Sequence, residues 1–521
     1  MTSKLKYLVF FLALASCGST KQANTTANPE SAAASSATTK GAYNEPYRPQ
    51  IHFTPKQKWM NDPNGMVYLN GTYHLFFQYY PDSTVWGPMH WGHAISKDLV
   101  HWDEQPIALY PDSLGYIFSG SAVVDVNNTS GFGKDGKAPL IAIFTHHDPV
   151  GETAKTTTFQ TQSIAYSLDE GKTWTKYANN PVIKNPGIRD FRDPKVMWFE
   201  EGQKWVMTLA TRDRITFYSS KNLKDWTKES EFGEKVGAHG GVWECPDLFP
   251  ISYQGEKIWI LLVSINPGGP NKGSATQYFT GKFDGSNFIP FQTDTRWIDY
   301  GTDNYAGITW SNTGNRKIFL GWMSNWQYAN IVPTKKWRSA MTVSRDLGLE
   351  KVGDKYFVTS RPVPELSAID EKRIELNNIS AANNDIPKKI GKLTGPARLS
   401  FTSNKIETFN ITLSNDAGEK VVIGYDKSTN NYFIDRTNSG NVSFEKGFAT
   451  RHTAPRLSNK DVVDVTLIID NASVELFADN GLSVMTEIFF PNTPYSNITV
   501  QSADNFQLKS FQFNKMKSIW R

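Results

Sequence analysis

ISKDLVHWDEQP, running from Ile95 to Pro106, reads as a short strand, a polar turn and a second strand headed by an aromatic residue, Trp102. The same shape returns as YSLDEGKTWTKY (Tyr166 to Tyr177), as YSSKNLKDWTKES (Tyr218 to Ser230) and, more weakly, as TGKFDGSNFIPF (Thr280 to Phe291), headed by Trp174, Trp226 and Phe288. The copies stand roughly 50 to 70 residues apart, and strand-and-hairpin units recurring at such periods are what the blades of a β-propeller look like in sequence. A further strand pair around IFLGWMSNW and SAMTVSRDLGLEKVGDKYFV makes a fifth unit. The expected fold is all-β, beginning with a five-bladed β-propeller over residues 47–364.

Beyond the repeats, SRPVPELS breaks the chain with two prolines near Arg361. The texture then changes to short alternating strands, ARLSFTS, TFNITLSN, KVVIGYD, DVTLIID and SVELFAD, joined by Asn, Asp and Gly turns. That pattern is the signature of an antiparallel sandwich. A linker over 365–373 and a β-sandwich domain over 374–521 are expected.

At the other end, Lys4 and Lys6 precede the apolar run Tyr7–Ala15, too short to remain as a membrane span and suited to a secretory signal. The run closes on Leu14-Ala15-Ser16-Cys17, which resembles a bacterial lipobox, in which the cysteine is lipidated and becomes the mature N-terminus. Residues 1–17 are thus expected to be a lipoprotein signal peptide. Residues 18–46, rich in Ser, Thr, Ala and Asn without apolar periodicity, are expected to be a flexible tether. The chain is accordingly expected to be an exported bacterial lipoprotein of the cell envelope. Cys245 is the only other cysteine, so the mature chain has no intramolecular disulfide available to it.

Composition narrows the partners. The 521 residues carry 55 basic and 51 acidic side chains, a net charge of +4 without clustering into a stripe, so neither nucleic acid nor an anionic membrane surface is implied. Membrane association is expected only through the lipid anchor, and the protein is expected to be a monomer. Sixteen Trp, 21 Tyr and 31 Phe accompany a mean hydropathy of −0.45. Aromatic faces on a hydrophilic protein suit stacking on sugar rings as well as core packing.

The propeller reading says where chemistry should lie. The first strand of each blade lines the central channel, so polar residues at blade starts converge although they are remote in sequence. WMNDPNGMVYLNGTYHLFFQY, Trp59 to Tyr79, opens on a turn-forming polar run before becoming two strands around Asn70-Gly71. Its Asp62 recurs in kind as Asp193 in FRDPKVMWF and Glu244 in GGVWECPDLFPI, each followed closely by proline and an apolar strand. A single Asx turn is unremarkable, but three acids in matched context form a constellation. Two carboxylates flanking one bond, one ionised and one protonated, are the minimum kit for glycoside hydrolysis.

WMNDPNG, FSGSAVV, FRDP, WECPDLF and LGWMSNWQYA resemble the motifs of glycoside hydrolase family 32, and Tyr47 to Pro364 is similar throughout to its bacterial levanases and exo-acting fructanases. SVELFADNG resembles that family's β-sandwich domain. The resemblance implies Asp62 as nucleophile, Glu244 as acid/base and Asp193 as the transition-state stabiliser. It also implies a substrate site built from Trp59, Asn61, Gln78, Trp86, Phe118, Ser119, Arg192, Asp303 and Trp322, with Trp86 and Trp322 as walls. Asn304 stands where an aromatic is expected, which places the pocket rim in question. HWGH (His90, Trp91, His93) lacks a third ligand, and neither a metal nor another cofactor is expected. The implied activity is a retaining glycosidase that releases fructose from the non-reducing ends of β-fructans, levan and also inulin and sucrose. An endo-levanase yielding oligosaccharides and a non-catalytic fructan-binding protein are the alternatives.

Overall fold

The computed structural model describes residues 43–520 except 383–384 and 503–505. The expected signal peptide, Cys17 and most of the tether lie outside the described residues. Tyr43, placed in the tether by sequence, already stacks on Trp520 with ring centroids 3.8 Å apart, and Glu45 pairs with Arg48 at 2.9 Å. The chain is therefore docked ahead of Tyr47.

The described residues form five antiparallel blades of four main strands each, in sequence order from the channel outward. Their inner strands are Lys58–Leu69, Tyr116–Val124, Phe191–Phe199, Val242–Tyr253 and Tyr305–Thr309, for blades 1 to 5. These neighbour one another around a ring, blade 5 returning to blade 1. Closure is made firm by the two-residue strand Trp337–Arg338, which pairs in parallel with Lys58 and Trp59. The Asn70-Gly71 turn joins the first two strands with both residues at positive φ, 48° and 76°, the twist that two-residue hairpins need.

The repeating aromatic of the sequence has a clear mechanical task. In blades 1 to 3 it immediately precedes the outermost strand, and in blade 4 Phe288 begins it. From there it wedges into the seam with the preceding blade. Trp102 stacks on Trp310 beside blade 5 at 6.1 Å, Trp174 meets Phe76 of blade 1 at 5.6 Å, and Phe288 meets Phe232 of blade 3 at 5.1 Å. Trp226 packs into the cluster holding Val123 and Ile141 of blade 2. Each ring buries a large apolar area where two twisted sheets would otherwise gape.

The second domain is a sandwich of a six-stranded and a five-stranded sheet, with Leu399, Phe401, Leu467, Ile411, Ile423 and Ile434 in the core between them. Its first strand starts at Asp370, and Pro364–Ile369 is a 3₁₀ turn, so the stretch expected as a linker is ordered structure. Asp370 is held there by Arg398 and by the Asn514 amide.

The two domains share a buried polar seam. Arg345 of the propeller donates to Asp299 at 2.9 Å and to Glu475 of the sandwich at 3.1 Å. Against the cost of burial, hydrogen bonds donated to Asp470 and Glu475 push His52 up to about 9, so it stays a cation between them. Arg436 of the sandwich donates to Asp303 at 2.7 Å. Buried ions survive only when paired in this way.

Candidate active site

Each of the five inner strands carries a β-bulge, two residues facing one on its neighbour, at the same depth in the channel. The extra pairs are Asn61-Asp62 opposite Gln78, Phe118-Ser119 opposite Thr145, Asp193-Pro194 opposite Leu209, Cys245-Pro246 opposite Val263, and Ala306-Gly307 opposite Gly321. A bulge interrupts the ladder, bends the strand and re-aims its side chains. Asp193, Cys245 and Ala306 take positive φ, 65°, 45° and 53°, to make the turn. Proline fits the second position of the pair in blades 3 and 4 because the inner edge needs no N–H there. Gly120 must lack a side chain, since a Cβ would lie 2.0 Å from the Ile143 carbonyl oxygen.

The bulges bring the three acids of the sequence to one pocket of about 220 Å³. Asp62 Oδ2 accepts the Ser119 hydroxyl at 2.8 Å and Oδ1 accepts the Asn61 amide at 3.0 Å. Asp193 Oδ2 accepts the Cys245 backbone N–H at 3.0 Å, and the Asp193 N–H donates to Thr145 Oγ1 at 3.0 Å. Glu244 Oε1 accepts Nε–H and Nη2–H of Arg192 at 3.0 and 2.9 Å, and Oε2 accepts the Tyr305 hydroxyl. Arg192 is fixed in turn by Asp190 at 2.8 Å.

Charge is unbalanced in a partly enclosed place. Burial, followed by the field of Glu244, lifts Asp62 above the usual carboxylate range. Burial pushes Asp193 up to about 7, with Arg192 opposing the rise and Glu244 and Asp62 adding to it. One guanidinium faces this group of acids, so a cationic transition state would find the compensating charge already in place.

Of the residues expected to contact substrate, Asn61, Gln78, Trp86, Phe118, Ser119 and Arg192 line the pocket. Gln78 is 2% exposed and its Nε2 has no hydrogen-bond partner, a donor left for a ligand. Trp59 and Trp322 do not line it. Both are fully buried, with Trp59 Nε1 donating to Asn61 Oδ1 at 2.7 Å and Trp322 Nε1 donating to the Met60 carbonyl at 3.1 Å. They stand behind Trp326, which faces the pocket together with Trp86 and lies 5.9 and 4.9 Å from their rings.

Asp303 is not a substrate residue. It is fully buried in the domain seam, bound by Arg436, by the Tyr328 hydroxyl at 2.6 Å and by the Ile488 N–H at 2.9 Å. Asn304 likewise sits in that seam, its amide 3.2 Å from Asp299, so the aromatic missing there leaves the rim unaffected. In HWGH, His90 packs on the Pro88 carbonyl and His93 on His74, both away from the pocket lining.

The pocket also holds residues that the motifs left unmarked: His147, Glu152, Phe159, Gln160, Asp190 and Trp326. Asp190 had a signal, standing two residues before Arg192 in RDFRDP. Trp326 lies in the same GWMSNW stretch as Trp322. His147 ends the second strand of blade 2 and Glu152 lies in the short helix that follows, 3.0 Å apart, and no periodicity announces them.

The same chain matches two family models, the glycosyl hydrolases family 32 N-terminal domain over residues 52–360 and the family's C-terminal domain over residues 365–516. It is 46% identical over 492 residues to a levanase of Bacillus subtilis, covering 92% of this chain and 72% of that protein. The crystal structure of an exo-inulinase from Aspergillus awamori superposes with a TM-score of 0.83 at 40% identity, covering 92% of this chain and all of the other. A fructofuranosidase from Schwanniomyces occidentalis complexed with fructose gives 0.81 at 34% identity, covering 92% of this chain and 99% of the other.

Proposed function

The chain belongs to family 32 of the glycosyl hydrolases, and on that premise we propose that it is an exo-acting fructan β-fructosidase that removes terminal fructose from levan, and also from inulin and sucrose. Asp62 attacks the anomeric C2 while Glu244 gives its proton to the departing oxygen, so the Asp62–C2 bond forms as the glycosidic C2–O bond breaks. Water then loses a proton to Glu244 and displaces Asp62. Two inversions retain configuration. Asp193 and Gln78 hold fructose hydroxyls, and Arg192 fixes the orientation of Glu244.

The observation that carries this reading is the small pocket, about 220 Å³, with three carboxylates from three blades on its walls. Trp326 backs it with the buried Trp59 and Trp322 behind, and the buried Cys245 thiol packs against Asp62 and Asp193. Such a site admits a chain end and leaves the rest of a polymer outside. Chromatography of the first products from levan, inulin and sucrose tests it. Free fructose is expected from the start, whereas an early ladder of oligosaccharides would make the enzyme an endo-levanase.

The proposal extends to location. The Lys4, Lys6, Tyr7–Ala15 and Leu14–Cys17 pattern supports export and lipidation at Cys17, with the enzyme acting as an anchored monomer of the cell envelope.

A further inference from the structure

Glu244 meets protein at both of its oxygens. Oε1 accepts two N–H groups of Arg192, and Oε2 accepts the hydroxyl of Tyr305. A guanidinium offers donors only, so an acid proton on Oε1 would point at two N–H groups. The transferable proton therefore has to ride on Oε2. That oxygen has two lone-pair directions in the carboxyl plane, and Tyr305 occupies one of them.

Tyr305 comes to Glu244 from the closed side. It is 1% exposed, it is absent from the pocket lining that includes Glu244, and its ring lies 6.4 Å from the buried Trp322. The bulge that follows at Ala306-Gly307 bends the strand at this position. Among the described residues its hydroxyl has no other partner.

We propose that Tyr305 is the positioning residue of the acid/base. By taking the rear lone pair of Oε2 it leaves the proton one seat, facing the glycosidic oxygen, and by donating to Oε2 it stabilises the carboxylate that remains after the proton has gone. The inference rests on the reading of Glu244 as acid/base. Tyr305 touches no substrate, so its influence should appear in proton transfer and not in binding.

The test compares Tyr305→Phe with Glu244→Gln and the unsubstituted enzyme, on sucrose and on a β-fructofuranosyl donor whose leaving group needs no proton. For Tyr305→Phe, kcat on sucrose should fall roughly 10- to 100-fold with KM nearly unchanged. The alkaline limb of the kcat profile should move up by about one pH unit, because a charged form that loses a donor holds its proton more tightly. On the activated donor, the deficit in forming the glycosyl-enzyme should vanish. Unchanged kcat and pH limb beside an inactive Glu244→Gln would overturn the role of Tyr305 alone. An equal loss on both donors with an unmoved limb would also overturn it, since that is the mark of packing. Near-normal turnover by Glu244→Gln on sucrose would remove the acid/base reading and this inference together.

Discussion

The backbone N–H of Cys245 donates to Asp193 Oδ2 at 3.0 Å, so the bulge of blade 4 is tied to the bulge of blade 3 through the carboxylate itself. The thiol of the same residue lies 3.5 Å from Asp193 Oδ2 and 3.6 Å from Asp62 Oδ2. One buried side chain thus sits between two acids that repel each other. Their spacing is set by backbone and packing, and not by flexible surface side chains.

Asp62→Asn and Glu244→Gln each remove a reacting group while keeping its volume. Turnover of sucrose should drop by ~10³-fold or more with the melting temperature nearly unchanged. Activated donors should partly rescue Glu244→Gln and leave Asp62→Asn inactive. Near-normal rates from either variant would refute the role given to that residue.

Asp193→Asn should uncouple stability from activity. The Asp193 carboxyl is lifted from 3.8 to about 7, chiefly by burial, so between those values the folded protein holds a proton that the unfolded chain has released. Native stability consequently falls as pH rises across that window, and the penalty is complete above it. Asn carries no such penalty and can still accept the Cys245 N–H. The variant should melt higher than the parent at pH 8 and converge with it near pH 4 while losing activity. A melting difference equal at both pH values would argue against the assignment.

Gln78 offers a buried amide donor with no protein partner. Gln78→Met should raise KM about tenfold, the cost of one hydrogen bond to a fructose hydroxyl, without lowering the melting temperature. Steady-state kinetics beside calorimetry decides it, and an unchanged KM would exclude Gln78 from binding.

Asp303→Ala separates the seam from the site. It takes one of two paired carboxylates from the buried Arg436 guanidinium, which keeps Glu487 at 2.8 Å, and leaves the Ile488 N–H without its acceptor, a cost of about 1–3 kcal/mol. Denaturant unfolding should show that loss, and the KM for sucrose should stay within about twofold at temperatures where the variant is folded. A selective KM effect would return Asp303 to the list of substrate contacts.

Cys17→Ser should abolish incorporation of labelled fatty acid and release the enzyme from the membrane fraction. Equal labelling of both forms would sink the lipoprotein proposal.

The architecture was legible because its signals are local. The Trp102, Trp174, Trp226 and Phe288 repeats mark wedges between blades, and the three acids stand in matched Asp-Pro or Glu-Cys-Pro contexts because similar bulges present them. The errors arose where side-chain direction mattered. Trp322 and Trp326 share a stretch, and which of them faces the channel depends on the path of the chain after the strand, which ends at Met323. Asp303 is two residues from Tyr305, yet its partner Arg436 lies in the other domain, so nothing nearby in sequence reveals that it is structural. His147 reaches the pocket from the end of a blade 2 strand and Glu152 from a five-residue helix just after it, a stretch too short for either period to show.

The seam between propeller and sandwich also makes the two halves of the chain depend on each other. Synthesis delivers Asp62, Asp193 and Glu244 early, but Arg345 meets Glu475, and Asp303 meets Arg436, only once the C-terminal sheets exist. A chain ending at residue 364 would possess every reacting group but leave Arg345 without Glu475 and Asp303 without Arg436. The sandwich, none of whose residues lines the pocket, thus supplies part of the charge balance inside the domain that does the chemistry.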